Sequence, residues 1–261
     1  MLKKLGFIKT KLLILIYRLP PPTPFWKLHD LHHSRFILST YDGINCLTSY
    51  TQKKLKSLLT PKTNIEFLEW CTDTVFYSKN CTDKKCYFFS SGKTNRDYRT
   101  LIQAAKMNCN LQFVVIGHFA EELLKLVPIN MKIIRSAANQ TDNAISYSEL
   151  KEYYSKSIAV CIPLNDDPED TCGYTELLES MAMGRPVIKA KTGCLDMNIE
   201  DKNVGYYYEP HNPNDLSDKL RLIYNNPATA ERFGLNGKKL VNEKYNLNAY
   251  SYRLKKFFEN S

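Results

Sequence analysis

The stretch DTCGYTELLESMAMGRPVI, from Asp170 to Ile188, holds the residues best placed to do chemistry. The apolar residues 158–163 before it predict a strand, and an acidic loop, Asn165 to Asp170, follows. Gly173 then turns the chain into a helix that starts near Thr175. Beyond the carboxyl end of a parallel strand, the free N–H groups and dipole of such a helix favour a phosphate. A glycine at the turn lets the backbone approach a ligand without a Cβ in the way. Glu179 lies one turn after Thr175 on the same face, where a carboxylate can accept both hydroxyls of a ribose. Gly184-Arg185-Pro186 ends the helix and starts the next strand. A lone glycine before a helix is a weak signal, whereas the whole nineteen-residue run is a strong one.

Alternating strands and helices must position this turn. Residues 86–90, 111–116, 131–135, 158–163, 186–189 and 203–208 predict strands. Helices are predicted over 98–107, 120–126, 147–155, 175–183, 213–225 and 228–245, with a last one over 248–259. That alternation argues for a parallel sheet covered on both faces, an α/β fold. Upstream, strands over 12–17, 43–48 and 64–70 alternate with helices over 26–39 and a basic one over 50–59, and residues 78–84 read as a polar linker. Three strands are fewer than a complete doubly wound sheet uses. The expected organisation is a partial α/β domain over 1–80, a complete one over 84–245, and a helix over 246–261 that crosses back to the first.

The string Leu178-Glu179-Ser180-Met181-Ala182-Met183-Gly184-Arg185-Pro186-Val187-Ile188 closely resembles the donor-binding motif of retaining glycosyltransferase family 4, a GT-B family. Its usual form is a Glu, seven residues, then a second Glu in Leu-Glu-Ala-Met-Ala-x-Gly-x-Pro-Val-Ile. The resemblance extends over roughly residues 41–258. It implies a GT-B fold with a Rossmann-like second domain, no cofactor, and a UDP- or GDP-hexose as donor. On the matching positions it implies that Glu179 holds the nucleotide ribose and that the turn Cys172, Gly173, Tyr174 and Thr175 meets the diphosphate. Phe89 to Tyr98 (FSSGKTNRDY) resembles the strand–Gly–basic loop that opens the family's second domain. The resemblance makes Gly92 part of the donor site and Lys93 and Arg96 the two cations that stabilise the leaving diphosphate without a metal. The plainer alternative is two solvated loop cations. Gly117 closes a matching strand, and the segment opening at Ile145 matches the part of the family that flanks the base.

Two departures stand out. Eight residues before Glu179 stands Thr171, with Asp170 nine before and Glu169 ten before. The first acid of the motif, which contacts the donor sugar, is thus displaced, and Asp170 is favoured over Glu169 or Thr171. The Gly-rich loop and further acceptor-side strands that open a complete GT-B enzyme have no counterpart before Leu12, and Tyr17-Arg18 stands where the family often has a His. His29, His32 and His33 fall in the following helix; His29 and His33 have a metal-compatible spacing, but a surface role is the plainer reading. The expectation is a fragment or a short variant with a reduced acceptor domain.

The formal net charge is +9, and its placement is informative. Residues 1–62 hold eleven Lys or Arg against Asp30 and Asp42, which leaves 25 basic and 25 acidic residues in the rest. A basic first quarter suits either a surface that meets anionic lipid, a polyanion or an acidic partner, or an ordinary solvated face. Few aromatics interleave with those cations, which argues against a nucleic-acid platform. The eight cysteines form no CxxC pair, so no metal site is expected, and free thiols in apolar runs fit a reducing, cytosolic compartment. The apolar residues 12–17 are too short to span a bilayer and lack the features of a signal peptide.

The leading reading is therefore transfer of a hexose, with retention, from a nucleoside-diphosphate sugar to a hydroxyl of a glycan or lipid-linked glycan. The alternative is a nucleotide-sugar-binding module, non-catalytic or half of a split enzyme that needs a partner chain. Peripheral membrane contact through Lys53, Lys54 and Lys56 is an accessory to the first reading.

Overall fold

The computed structural model describes residues 9–18, 35–59, 63–78, 86–135 and 145–261. Most of the helix expected over 26–39, the three histidines in it, and most of the linker over 78–84 lie outside the described residues. Residues 35–38, the described end of that helix, are helical.

Two parallel sheets form among the described residues. The first has the order β1 (Leu13–Ile16), β2 (Gly43–Cys46), β3 (Asn64–Phe67), with α1 (Ser49–Leu58) packed on β2 and β3. Its small core joins Ile16, Ile44, Cys46, Leu55, Leu59 and Ile65. Thr48 caps α1 by accepting from the Thr51 amide, so the basic helix starts directly after β2.

The second sheet has six strands: β4 (Tyr87–Gly92), β5 (Phe113–Gly117), β6 (Met131–Arg135), β7 (Ser157–Ile162), β8 (Val187–Ala190) and β9 (Gly205–Tyr208). Their order is β6-β5-β4-β7-β8-β9, all parallel. Counted from β4 this is the 3-2-1-4-5-6 order of the Rossmann fold, and the order in which strands are added reverses between β4 and β7. Both faces are covered, so Phe88, Phe89, Val115, Val160, Ile162, Val187 and Ile188 are all buried in continuous apolar runs.

The helices begin where the sequence supplies caps. Asp97 caps α2 (Tyr98–Lys106), Ser146 and Glu149 form a capping box on α4 (Tyr147–Ser155), and Asn212 with Pro213 opens α6 (Pro213–Asn225). Between α2 and α4, α3 is only Glu121–Leu124, shorter than the helix expected over 120–126. Pro128 disfavours helical backbone at Val127, and the chain closes there in tight turns. After β7 comes α5 (Tyr174–Ala182), with Leu177, Leu178, Ser180 and Met181 fully buried between the sheet and α7 (Pro227–Lys244).

The last helix, α8 (Leu247–Asn260), returns to the first sheet. Asn64 Nδ2 donates to Ser261 Oγ at 3.2 Å, and the Thr72 amide donates to the Tyr245 carbonyl at 2.9 Å. Among the described residues, no helix is long and apolar enough to cross a membrane.

Candidate active site

The reversal between β4 and β7 opens a crevice at the carboxyl ends of those strands, where open α/β sheets bind ligands. A cleft of about 290 Å³ lies there. Lys93, Thr94 and Arg96 from the loop after β4 line one wall, and Thr171 to Glu176 form the turn into α5. Tyr17, Leu47 and Trp70 close it from the first sheet.

Gly173 makes this geometry. Its φ of 79° is left-handed, and a Cβ there would lie 2.6 Å from Ile162 Cγ2 and 3.3 Å from Arg96 Nη1. Having no side chain, it leaves the first-turn amides of α5 uncapped, and Tyr174, Thr175 and Glu176 all line the cleft.

Arg96 is the central cation. Its Nη2 donates to the Ser91 carbonyl at 2.9 Å and to Glu176 Oε2 at 2.8 Å. Its side chain is 7% exposed, and among the described residues its Nε and Nη1 have no hydrogen-bond partner. Gly92, at φ 136°, admits this guanidinium, because a Cβ there would collide with it. Buried donors of this kind are costly unless a ligand or water takes them. Lys93 is exposed on the rim of the same cleft.

Glu176 is a site residue that the motif reading passed over. Its Oε1 accepts from the Ser91 amide at 2.6 Å and lies 3.2 Å from the Ser91 hydroxyl. Burial pushes it up to about 7, against the Arg96 cation and the Ser91 hydrogen bonds, which pull it down. The sequence carried no local signal for it: an acid in the first turn of a helix is favoured by the helix dipole alone, and its partner Arg96 lies in a distant loop.

Glu179 is buried and does not line this cleft, although Thr175, one turn before it, does. Its Oε1 accepts from the Tyr77 hydroxyl at 2.8 Å and its Oε2 from the Tyr154 hydroxyl at 2.9 Å. Burial raises its carboxyl, and the two tyrosine hydrogen bonds oppose that rise.

The three candidates for the displaced acid separate clearly. Asp170 is buried and accepts from Asn95 Nδ2, from the Cys172 amide at 3.1 Å and from Arg18 Nη1 at 3.4 Å. Burial alone would raise it, but these donors outweigh burial and hold it below the usual carboxylate range. Glu169 points to α1, paired with Lys54 and accepting from the Tyr50 hydroxyl at 2.8 Å. Thr171 donates to the Tyr17 carbonyl at 3.1 Å. Asn95, left-handed at φ 53°, ties the loop of Lys93 and Arg96 to the acidic loop.

Arg18 and Lys54 thus carry part of the basic first quarter onto the acidic loop of the second sheet, an intramolecular use of that charge. Lys53 and Lys56 stay exposed. Cys172 lines the cleft, its thiol pushed up to about 12 by burial and by Asp170, a setting that favours the thiol over the thiolate. Gly117 and Ile145 stand apart from the cleft: Gly117 packs under Tyr98, and Ile145 packs half-buried against the main core. Among the described residues, no group of three or more His, Cys, Asp or Glu is arranged to hold a metal ion.

Residues 76–240, more than half of the chain, match the family described as Glycosyl transferases group 1. The chain belongs to this family. Over 71 residues it is 39% identical to the poly(ribitol-phosphate) alpha-N-acetylglucosaminyltransferase of Staphylococcus aureus (strain COL), a match covering 26% of this chain and 14% of that protein. The chain spans less than a third of the length of the curated relatives it matches. Sucrose-phosphate synthase from Thermosynechococcus elongatus superposes with a TM-score of 0.74 at 14% identity, covering 99% of this chain and 69% of that one. Anabaena HepE in complex with UDP-glucose does so with a TM-score of 0.74 at 10% identity, covering 98% and 74%. These likenesses establish the fold as GT-B type α/β, the fold the motif resemblance implied. Within this glycosyl transferases group 1 chain, the matched residues supply the cleft's wall from Lys93 to Arg96 and its turn from Thr171 to Glu176, while Tyr17, Leu47 and Trp70 lie before them.

Proposed function

We propose that the chain transfers a hexose from a UDP- or GDP-hexose to a hydroxyl of a glycan or lipid-linked glycan, with retention. The observation that carries this reading is Arg96: a buried cation whose Nε and Nη1 have no hydrogen-bond partner among the described residues, beside the uncapped start of α5. Such a pairing suits the diphosphate of a nucleotide sugar. The complex of the HepE neighbour with UDP-glucose makes a uridine nucleotide the first donor to try.

In this reading Arg96 and Lys93, with the amides of Gly173, Tyr174 and Thr175, stabilise the charge that develops on the leaving nucleoside diphosphate. Gly92 lets Arg96 approach, and Glu179, the ribose acceptor by the motif resemblance, takes the ribose in exchange for a tyrosine hydroxyl that now encloses it. Asp170 orients the sugar from the acidic loop. The C1–O bond to the diphosphate breaks as the acceptor oxygen bonds to C1 on the same face, and the acceptor proton passes to a diphosphate oxygen. The residues over 1–80 form the acceptor side, those over 84–245 the donor side, and Gly117 and Ile145 border the base. The reaction takes place in the cytoplasm, with Lys53 and Lys56 contacting an anionic membrane surface.

A second reading, a binding module that acts with a partner chain, draws on the small three-stranded first sheet. Incubating the isolated chain with UDP-glucose or GDP-mannose and following the anomeric proton by NMR separates the two. Release of sugar, or transfer to an added acceptor, as the α-anomer supports retaining transfer. Tight binding without any turnover favours the module, and a β-anomeric product contradicts retention.

A further inference from the structure

Behind the cleft, a hydrogen-bonded chain joins two buried acids. Glu176 Oε1 lies 3.2 Å from Ser91 Oγ, which lies 3.2 Å from the Tyr154 hydroxyl, which donates to Glu179 Oε2 at 2.9 Å. Ser91 and Tyr154 are both buried. The Ser91 hydroxyl holds one proton between two neighbours, so it can donate to Glu176 or accept from it and donate to Tyr154. At the other end, Glu176 is the counter-ion of Arg96 through Nη2 alone, which leaves Nε and Nη1 unpaired.

From this geometry we infer that Glu176 is the positioning residue for Arg96 and takes up a proton from water when a nucleotide sugar binds. The inference rests on the diphosphate reading of Arg96 given above. A buried carboxylate and an anionic diphosphate on the same guanidinium repel each other at short range in a medium that screens them poorly. A proton on Glu176 Oε1 removes that repulsion and keeps every hydrogen bond. The Ser91 hydroxyl turns to accept it and donates to Tyr154 instead, while Nη2 stays on Oε2.

The surrounding groups leave Glu176 free to act this way. Facing it are Arg96 from the loop after β4, Glu179 from its own helix, Tyr154 from α4, Tyr98 from α2 and Cys161 from β7. Burial raises both tyrosines and the cysteine, which therefore stay neutral near pH 7. Burial holds the Glu176 carboxyl up at about 7, against the pull of Arg96, so near neutral pH it has a charge to give up.

The test is calorimetric titration of UDP-glucose and of GDP-mannose into the full chain, in two buffers of unlike ionisation enthalpy, at pH 6, 7 and 8. The diphosphate diester of these probes does not itself titrate in that range. Linkage predicts uptake of about half a proton per bound probe at pH 7, and binding weaker by about tenfold at pH 8 than at pH 6. In Glu176→Gln the uptake disappears and the affinity becomes flat over this range. Binding by the wild type without proton uptake overturns this inference and leaves the nucleotide-sugar reading intact. Uptake that persists in Glu176→Gln overturns it as well. Failure of the wild type to bind either probe removes the nucleotide-sugar reading and this inference together.

Discussion

Arg18, two residues past β1, places Nη1 3.4 Å from Asp170 Oδ1, so a cation from the first sheet sits on a buried carboxylate of the second. Its Nη2 reaches Asp167 Oδ2 at 2.5 Å. The two sheets are therefore joined across the cleft by the loop that carries the displaced acid.

Replacing Arg18 by Met removes a cation that is itself 35% exposed, so solvent already screens much of its interaction. The expected loss is about 1 kcal/mol in urea unfolding at pH 7. Because Asp170 is held below its ordinary value, its contribution is present above the unfolded pKa and is lost as pH falls through the folded one. Unfolding midpoints at pH 7 and pH 3 should converge for wild type and Asp170→Asn at the acid end. Equal gaps at both pH values count against this coupling.

Gly173→Ala forces a left-handed φ of 79° on a residue with a Cβ and pushes that Cβ to 2.6 Å from Ile162 Cγ2. The expected cost is about 1–3 kcal/mol, with donor affinity falling by at least about tenfold because the turn and Arg96 must shift. Thermal unfolding and donor titration of the same variant check both parts.

Tyr154→Phe keeps the ring and removes one of the two donors to Glu179 together with the hydroxyl contact to Ser91. A buried carboxylate that loses a donor costs about 1–3 kcal/mol. Denaturant unfolding at pH 7 measures it. A variant as stable as wild type shows that Tyr77 alone satisfies Glu179.

The raised carboxyl of Glu176 gives the opposite pH signature to Asp170. A carboxylate whose folded pKa of about 7 exceeds its unfolded one contributes stability that is present below the unfolded value. That contribution is lost as pH rises through the folded value. Wild-type stability should therefore fall between about pH 4.5 and pH 7 more steeply than that of Glu176→Gln. Parallel curves from melting across pH 4 to 8 contradict the buried charge assigned here.

Much of this was legible in the sequence, for physical reasons. Helices such as α4 and α6 announce themselves by a capping box and an Asn-Pro start, and the buried strands by short continuous apolar runs. The turn at Gly173 was legible because a left-handed position before a helix leaves few alternatives to glycine. The partners of the site were not. Glu176 is linked to Arg96 across 80 positions and Arg18 to Asp170 across 152, and no local periodicity encodes such pairings. The charge count found the basic first quarter but not that Arg18 and Lys54 spend their charge on the acidic loop. Glu179 matched its motif letter for letter, yet only the fold shows it enclosed by Tyr77 and Tyr154.

Central to the account is the claim that Arg96 receives the diphosphate of a nucleotide sugar. Titrating UDP-glucose and GDP-mannose into wild type and Arg96→Met, with folding of both checked by thermal melting, tests it most directly. The account predicts that wild type binds at least one probe and that Arg96→Met binds it about 10–100-fold more weakly while remaining folded. Equal affinity of a folded Arg96→Met variant for the same probe contradicts it.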